Sequence, residues 1–159
     1  MDNGPHAVDI IRYLMGPIAK IFAHESTRMP GFEVEDTATL SVITKSNVIS
    51  TINLSWSLNL QTSSYIEIYG TDGAIKVGWK ESFYQHSGHP DWISYGVGYQ
   101  KVGAFKSQLE NFINTVHGTH EPLITPEDGL ASISIIEAAY ESLATGKWVE
   151  IQESSAYAS

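Results

Sequence analysis

Polar and apolar residues alternate from Thr37 to Val42, with Thr37, Thr39 and Ser41 set against Ala38, Leu40 and Val42. A period of two predicts a half-buried β-strand. Lys45-Ser46-Asn47 then reads as a hairpin turn, after which Val48, Ser50, Ile52, Leu54, Trp56 and Leu58 share one strand face. Tyr65 to Tyr69 and Ile75 to Trp79 form another pair around Thr71-Asp72-Gly73, a strong turn signal. Ile18 to His24, Ser82 to Gln85 and Trp148 to Ile151 read as further strands. Arg28 to Phe32 and Ser87 to Gly98 read as loops.

A longer period marks three helices. Val8, Ile11, Leu14 and Met15 line one face of a helix from Pro5 that Gly16-Pro17 ends. Phe105, Leu109, Phe112, Ile113 and Val116 recur at helical spacing up to Gly118. Thr125-Pro126-Glu127-Asp128 combines an N-cap threonine, a proline at the first position and an acid at the third. Leu130, Ile133, Ile136, Tyr140 and Leu143 follow as an apolar stripe, and Gly146 is a natural stop.

Strands followed by helices predict an α+β domain over residues 1–152, with a flexible tail at 153–159. Its open, mostly antiparallel sheet would carry helices on one face. The other face would present Thr39, Ser41, Ile43, Ile49, Thr51, Asn53, Ser55, Tyr65 and Tyr69, with Glu67 as its main charge. Solvated faces usually carry more Lys and Glu, so this one reads as available for oligomerisation.

Length and composition narrow the classes. The chain has 159 residues, enough to bury a core, and 42% are hydrophobic. Nine basic against 18 acidic residues leave a formal net charge of −9, with no basic cluster. Nucleic acid and membrane surfaces are therefore not expected partners. The absence of cysteine removes disulfides, thiol nucleophiles and Cys-ligated zinc, and fits a cytoplasmic protein. No run reaches the length of a membrane span, and the N-terminus lacks a basic-then-apolar signal.

Candidate chemistry concentrates at the start. Asp2, His6 and Asp9 lie four and three residues apart, near one face of a helix start. A histidine beside carboxylates can be held in one tautomer for proton transfer. The same residues also suit helix capping by an acid and a surface histidine. Asp9 either supports the site or favours the helix N-terminus. His86-x-x-His89 and His117-x-x-His120 have ligand-like spacing, but both lie in loops or at a helix end, so no metal site is expected. Trp79, Tyr84, Trp92, Tyr95 and Tyr99 flank the long loop, where packing on a sheet is favoured over a sugar-binding role.

Asp2-x-Gly4-x-His6-x-x-Asp9 followed by Leu14-x-Gly16 resembles a signature of the glucose–fructose oxidoreductase/inositol dehydrogenase (Gfo/Idh/MocA) family. Glu35-Asp36-Thr37-Ala38, Leu54-Ser55-Trp56 and Tyr69-Gly70-Thr71-Asp72-Gly73-Ala74-Ile75 continue the likeness. So do Thr125 to Gly129, Glu137 to Ser142 and Gly146-Lys147-Trp148-Val149. The resemblance covers nearly the whole chain but only the family's C-terminal α+β domain. It implies a parent enzyme that moves hydride between NAD or NADP and a sugar or polyol hydroxyl. His6 would be the acid/base, and Asp2 would position or polarise it. The resemblance also implies a Rossmann domain as partner and a homo-oligomer through the sheet.

No G-x-G-x-x-G and no E-K-P stretch is present, and Gly96-x-Gly98 is followed by Tyr99, not by a helix-opening glycine run. The chain alone is thus expected to bind no cofactor and to be inactive in isolation, as a truncated frame or a designed fragment would be. The alternative is a non-catalytic dimerisation or ligand-binding module with the same fold.

Overall fold

A computed structural model describes residues 3–31, 33–57 and 62–152. In chain order the elements are α1 (Gly4–Met15), β1 (Ile18–Glu25), β2 (Thr37–Thr44), β3 (Ile49–Ser55), β4 (Ser64–Gly70), β5 (Gly73–Gly78), β6 (Ser82–His86), β7 (Ile93–Gly96), α2 (Lys101–Val116), α3 (Pro126–Thr145) and β8 (Val149–Glu150). The fold class is α+β and every strand pairing is antiparallel, as expected. The strands are divided between two four-stranded sheets, β3-β2-β1-β8 and β4-β5-β6-β7. Each sheet belongs to its own compact unit, Met1–Leu58 with Ile124–Ser159, and Asn59–Leu123.

In the first unit, the turn at 45–46 closes the β2–β3 hairpin, and Asn47 adopts φ 63° beyond it. Asn47 N–H donates to the Thr44 carbonyl at 2.9 Å. Ala38, Leu40, Val42 and Thr44 on β2 are buried, as is Ile52 on β3 and Ile18, Ile21 and Ala23 on β1. Val8 from α1 and Ile135, Ala138 and Ala139 from α3 complete this core. Each large aliphatic side chain fully buried there contributes roughly 1.5–3 kcal/mol.

The buried face of α3 differs from the stripe read in the sequence. Ile133 and Tyr140 are exposed, whereas Ser132, Ile135, Ala138, Ala139 and Ser142 are buried. Small side chains on that face bring the helix backbone close to β1, so alanine and serine outcompete larger residues for the contact. The Ser142 hydroxyl accepts from Ala23 N–H at 3.0 Å and donates to the Lys147 carbonyl at 2.6 Å. It thus ties the helix to β1 and to the segment entering β8. Both ends of α3 are marked as expected. Thr125 and Asp128 form a capping box, and Gly146 turns left-handed at φ 65°.

The outward face of this sheet carries the expected Thr39, Ser41, Thr51, Asn53 and Ser55, paired across β2 and β3, but Tyr65 and Tyr69, expected in the same row, lie on β4 in the other sheet, because the strands after β3 pair among themselves. It also holds Phe22 stacked on Trp148 at 5.6 Å, with the Lys20 ammonium over the same indole. Trp56 lies just past β3 and is 69% exposed, so it is not the core residue the alternation suggested.

The second unit is a meander. Gly70 and Gly73 flank the β4–β5 turn, and a Cβ at Gly73 would stand 2.0 Å from the Gln85 carbonyl. Only glycine fits that approach. Strand β7 falls in the stretch read as loop, because its four residues are too few to show a period. Among the described residues of this unit the buried positions are Gly78 and Ser82, in β5 and β6. Helix α2 has the expected spacing, yet Phe105, Leu109, Phe112, Ile113 and Val116 are all exposed. The expected tail at 153–159 and Leu58 lie outside the described residues. No described helix is long and apolar enough to cross a membrane.

Ser142→Ala removes the hydroxyl that satisfies a buried Ala23 amide. We expect a loss of about 1–3 kcal/mol, seen in urea titration as a lower midpoint at unchanged slope.

Candidate active site

Helix α1 starts at Asn3, whose side chain makes no capping hydrogen bond, with Pro5 in its first turn. His6 lies one turn in and is exposed. Val8 is fully buried and stands about 200° round the helix from His6, so the core holds one side and the imidazole faces the other. Asp2 lies outside the described residues.

Asp9 is engaged elsewhere in the fold. Its Oδ1 is 3.2 Å from Arg12 Nη1 and accepts from the Ser132 hydroxyl at 3.2 Å. Arg12 Nη1 also lies 3.1 Å from the Asp128 carbonyl and 3.3 Å from Ser132 Oγ, while Nη2 reaches Asp128 Oδ1 at 3.2 Å. The four side chains join α1 to the first turns of α3. Asp128 takes part in the capping box at the same time, accepting from Thr125 N–H at 3.0 Å. Hydrogen bonds from the Thr125 amide and hydroxyl hold its carboxyl below the usual aspartate range. Arg12 adds to this, and burial opposes it.

A small cleft opens at the start of α1. Asn3, Glu35, Asp36 and Trp56 are among its lining residues. Glu35 and Asp36 are buried in their surroundings. Asp36 Oδ2 accepts from Met29 N–H at 2.9 Å, and Glu35 Oε1 accepts from the Tyr140 hydroxyl at 3.0 Å. Burial would raise the Glu35 carboxyl, but hydrogen bonds outweigh it, Tyr140's among them, and hold it low. The tyrosine is raised, by burial and by this carboxylate. Sequence reasoning quoted Glu35-Asp36 only as part of a family likeness. Two adjacent acids opening an apolar strand were the available signal for a polar cleft.

The remaining sequence candidates do not converge. His86, His89, His117 and His120 are exposed, and no three metal-binding side chains cluster among the described residues. The Gly96–Gly98 segment does link a strand to a helix. However, a Cβ at Gly98 would meet the Lys80 backbone at 2.5 Å, so this glycine serves chain packing. That geometry does not fit a pyrophosphate cradle, and no other described helix start follows a glycine-rich strand turn.

Residues 1–151 match the family described as "Oxidoreductase family, C-terminal alpha/beta domain", and the chain belongs to this Gfo/Idh/MocA family. It is 24% identical to a D-apiose dehydrogenase of Rhizobium rhizogenes, covering 94% of this chain and 48% of the relative. It is 27% identical to an inositol 2-dehydrogenase of Mycolicibacterium gilvum, covering 95% and 45%. Among solved structures, a levoglucosan dehydrogenase in complex with NADH and levoglucosan superposes with TM-score 0.85 at 18% identity, covering 96% of this chain and 50% of that one. An oxidoreductase from Agrobacterium radiobacter, in complex with NAD+, L-tartaric acid and magnesium, gives 0.76 at 22% identity, covering 93% and 47%. The chain therefore spans about half the length of the curated relatives it matches.

The lowered Asp128 carboxyl has a pH consequence. Its folded pKa lies below the unfolded one, so the stabilisation is fully present above the ordinary aspartate value of 3.8. It is lost as pH falls through the lower folded value. Stability measured by urea titration from about pH 6 to pH 2 should fall less steeply in Asp128→Asn than in the parent.

Proposed function

We propose that this chain is the substrate-binding and oligomerisation part of a nicotinamide-dependent oxidoreductase acting on a sugar or polyol hydroxyl, with residues 1–152 working as one C-terminal domain. The observation that carries this reading is the family match across residues 1–151. The D-apiose and inositol dehydrogenases among its relatives support a polyol substrate.

His6 acts as the base. Oxidation of a carbinol removes a proton from the oxygen as hydride leaves the carbon, so a proton acceptor must stand within hydrogen-bond reach of the hydroxyl. An exposed imidazole in the first turn of α1, the helix whose N-cap Asn3 lines a cleft with Glu35 and Asp36 in its wall, suits that task. Asp2 orients the ring and favours the imidazolium that forms. NAD or NADP is bound by a nucleotide-binding portion, a Rossmann domain, outside these residues. This chain alone binds neither cofactor and does not turn over substrate.

The Thr- and Ser-rich face of β3-β2-β1, on which the Lys20 ammonium lies over Trp148, makes a two-fold contact with a second copy. Ser41, Thr51 and Asn53 lie near its centre, and Ile49, 75% exposed, adds apolar area. A self-complementary sheet-on-sheet contact can bury the same face on both copies.

Two measurements test the reading. In a protein that joins this chain to a nucleotide-binding portion, His6→Ala should lower turnover of a polyol by roughly a hundred- to ten-thousand-fold, and Asp2→Asn by less. Near-parental turnover in His6→Ala would overturn the assignment of the base. Light scattering coupled to gel filtration should give twice the 17.5 kDa chain mass. Thr51→Lys should return it towards the monomer, since an unpaired charge is costly to bury. A parent that runs as a monomer would remove the interface.

A further inference from the structure

We infer that Arg12 is a positioning residue: with Asp9, Ser132 and Asp128 it fixes the rotation of α1 about its axis, and so the direction in which His6 faces. The inference rests on the reading of His6 as the base. It assigns the motif's last acid, Asp9, to a task away from the imidazole.

The geometry leaves α1 two kinds of restraint. Val8 is fully buried among the core residues, with Ala7 and Ile11 partly buried against the same cluster, contacts that exclude water but are not directional. The polar contacts lie to one side of it. In one sense of rotation Asp9 is about 60° round the helix from His6, Arg12 about 120° and Val8 about 160°, the same position as about 200° in the other sense. An apolar contact alone would let the helix roll by small angles. A planar guanidinium with two nitrogens committed to α3 would not, because its donors lie in a rigid fork.

The contacts also form a closed set. Ser132 Oγ lies 3.3 Å from Arg12 Nη1 and 3.2 Å from Asp9 Oδ1, so one hydroxyl bridges the guanidinium of Arg12 and the carboxylate of Asp9. Arg12 meets both the carbonyl and the carboxylate of Asp128. Asp128 is in turn anchored by Thr125, at 3.0 Å from its N–H and 2.9 Å from its hydroxyl. The far end of the contact is thus fixed by the capping box of α3, an element held on the core by Ile135 and Ala139. The side chain of Arg12 is 18% exposed, which limits competition from water. Sites that move protons need their groups held to within about 10–20° of the working direction. A roll of α1 by more than that would carry the His6 ring away from its hydroxyl.

Residual dipolar couplings of the isotopically labelled chain test this without any turnover. They report the direction of the α1 amides and of the His6 Cε1–Hε1 bond against the frame set by α3 and β2. In Arg12→Gln we expect the α1 and His6 couplings to depart from the parent frame by a rotation of about 10–20° or more, while those of α3 and β2 keep it. Arg12→Lys, which keeps the charge but loses the fork, should fall between. A residue that merely added stability would lower the melting midpoint and leave the couplings unchanged. Unchanged α1 and His6 couplings in a folded Arg12→Gln would overturn the inference. If Arg12→Gln does not fold, Ser132→Ala takes its place: a smaller rotation of α1 supports the role, and none overturns it. Full turnover in His6→Ala would instead remove the base and leave the couplings as they stand.

Discussion

The close approach of α3 to β1 is the contact on which the first unit depends. Ser132, Ala138, Ala139 and Ser142 give the helix a face of small side chains, with Ile135 as the one large residue buried among them. Larger residues there would hold the helix off the sheet. At this distance the Ser142 hydroxyl reaches the Ala23 amide and the Lys147 carbonyl together. The chain therefore leaves α3 already directed towards β1, where Val149 pairs with Ile21. The opposite end of the helix gains as well. Its capped first turns stand where Arg12 and Asp9 of α1 can meet them.

Much of this architecture was legible because its signals are local. The turns at 45–46 and 71–72, the capping box at Thr125 and the stop at Gly146 each rest on residues adjacent in sequence. What escaped depended on partners far away. The stripe of Leu130, Ile133, Ile136, Tyr140 and Leu143 is apolar, yet the neighbouring face was buried, because hydrophobicity does not record how closely a sheet must approach. Trp56 follows the period of β3, but the strand ends at Ser55 and the period loses its meaning there. Phe22 and Trp148 meet across β1 and β8, which no short window could pair.

The candidate site divides in the same way. The exposed position of His6 follows from the helix period that buries Val8. The partners of Asp9 do not, since Ser132 lies 123 residues further along the chain. Spacing places three groups on a helix face but cannot say which of them looks inward to a second helix. The adjacent acids Glu35 and Asp36 are a similar case. Their use became visible only when Met29 and Tyr140 were seen to meet them.

The Thr- and Ser-rich sheet face raises a question of energetics, since covering hydroxyls and amides with a second copy costs free energy unless they are hydrogen-bonded. Here many are bonded before any partner arrives. Thr37 Oγ1 lies 2.7 Å from Ser55 Oγ and 2.9 Å from Ser57 Oγ, and Thr39 donates to Asn53 Oδ1 at 3.0 Å. These pairs form across β2 and β3, in the register that sets Thr37 opposite Ser55 and Thr39 opposite Asn53. Groups that satisfy one another lose less on desolvation than the same number of groups bonded only to water. A face built this way can stay in solvent as a monomer and still be covered at modest cost. Lysines and glutamates in the same places would favour the first state and oppose the second. The threonine and serine rows therefore bear on association through their pairing, in addition to their lack of charge.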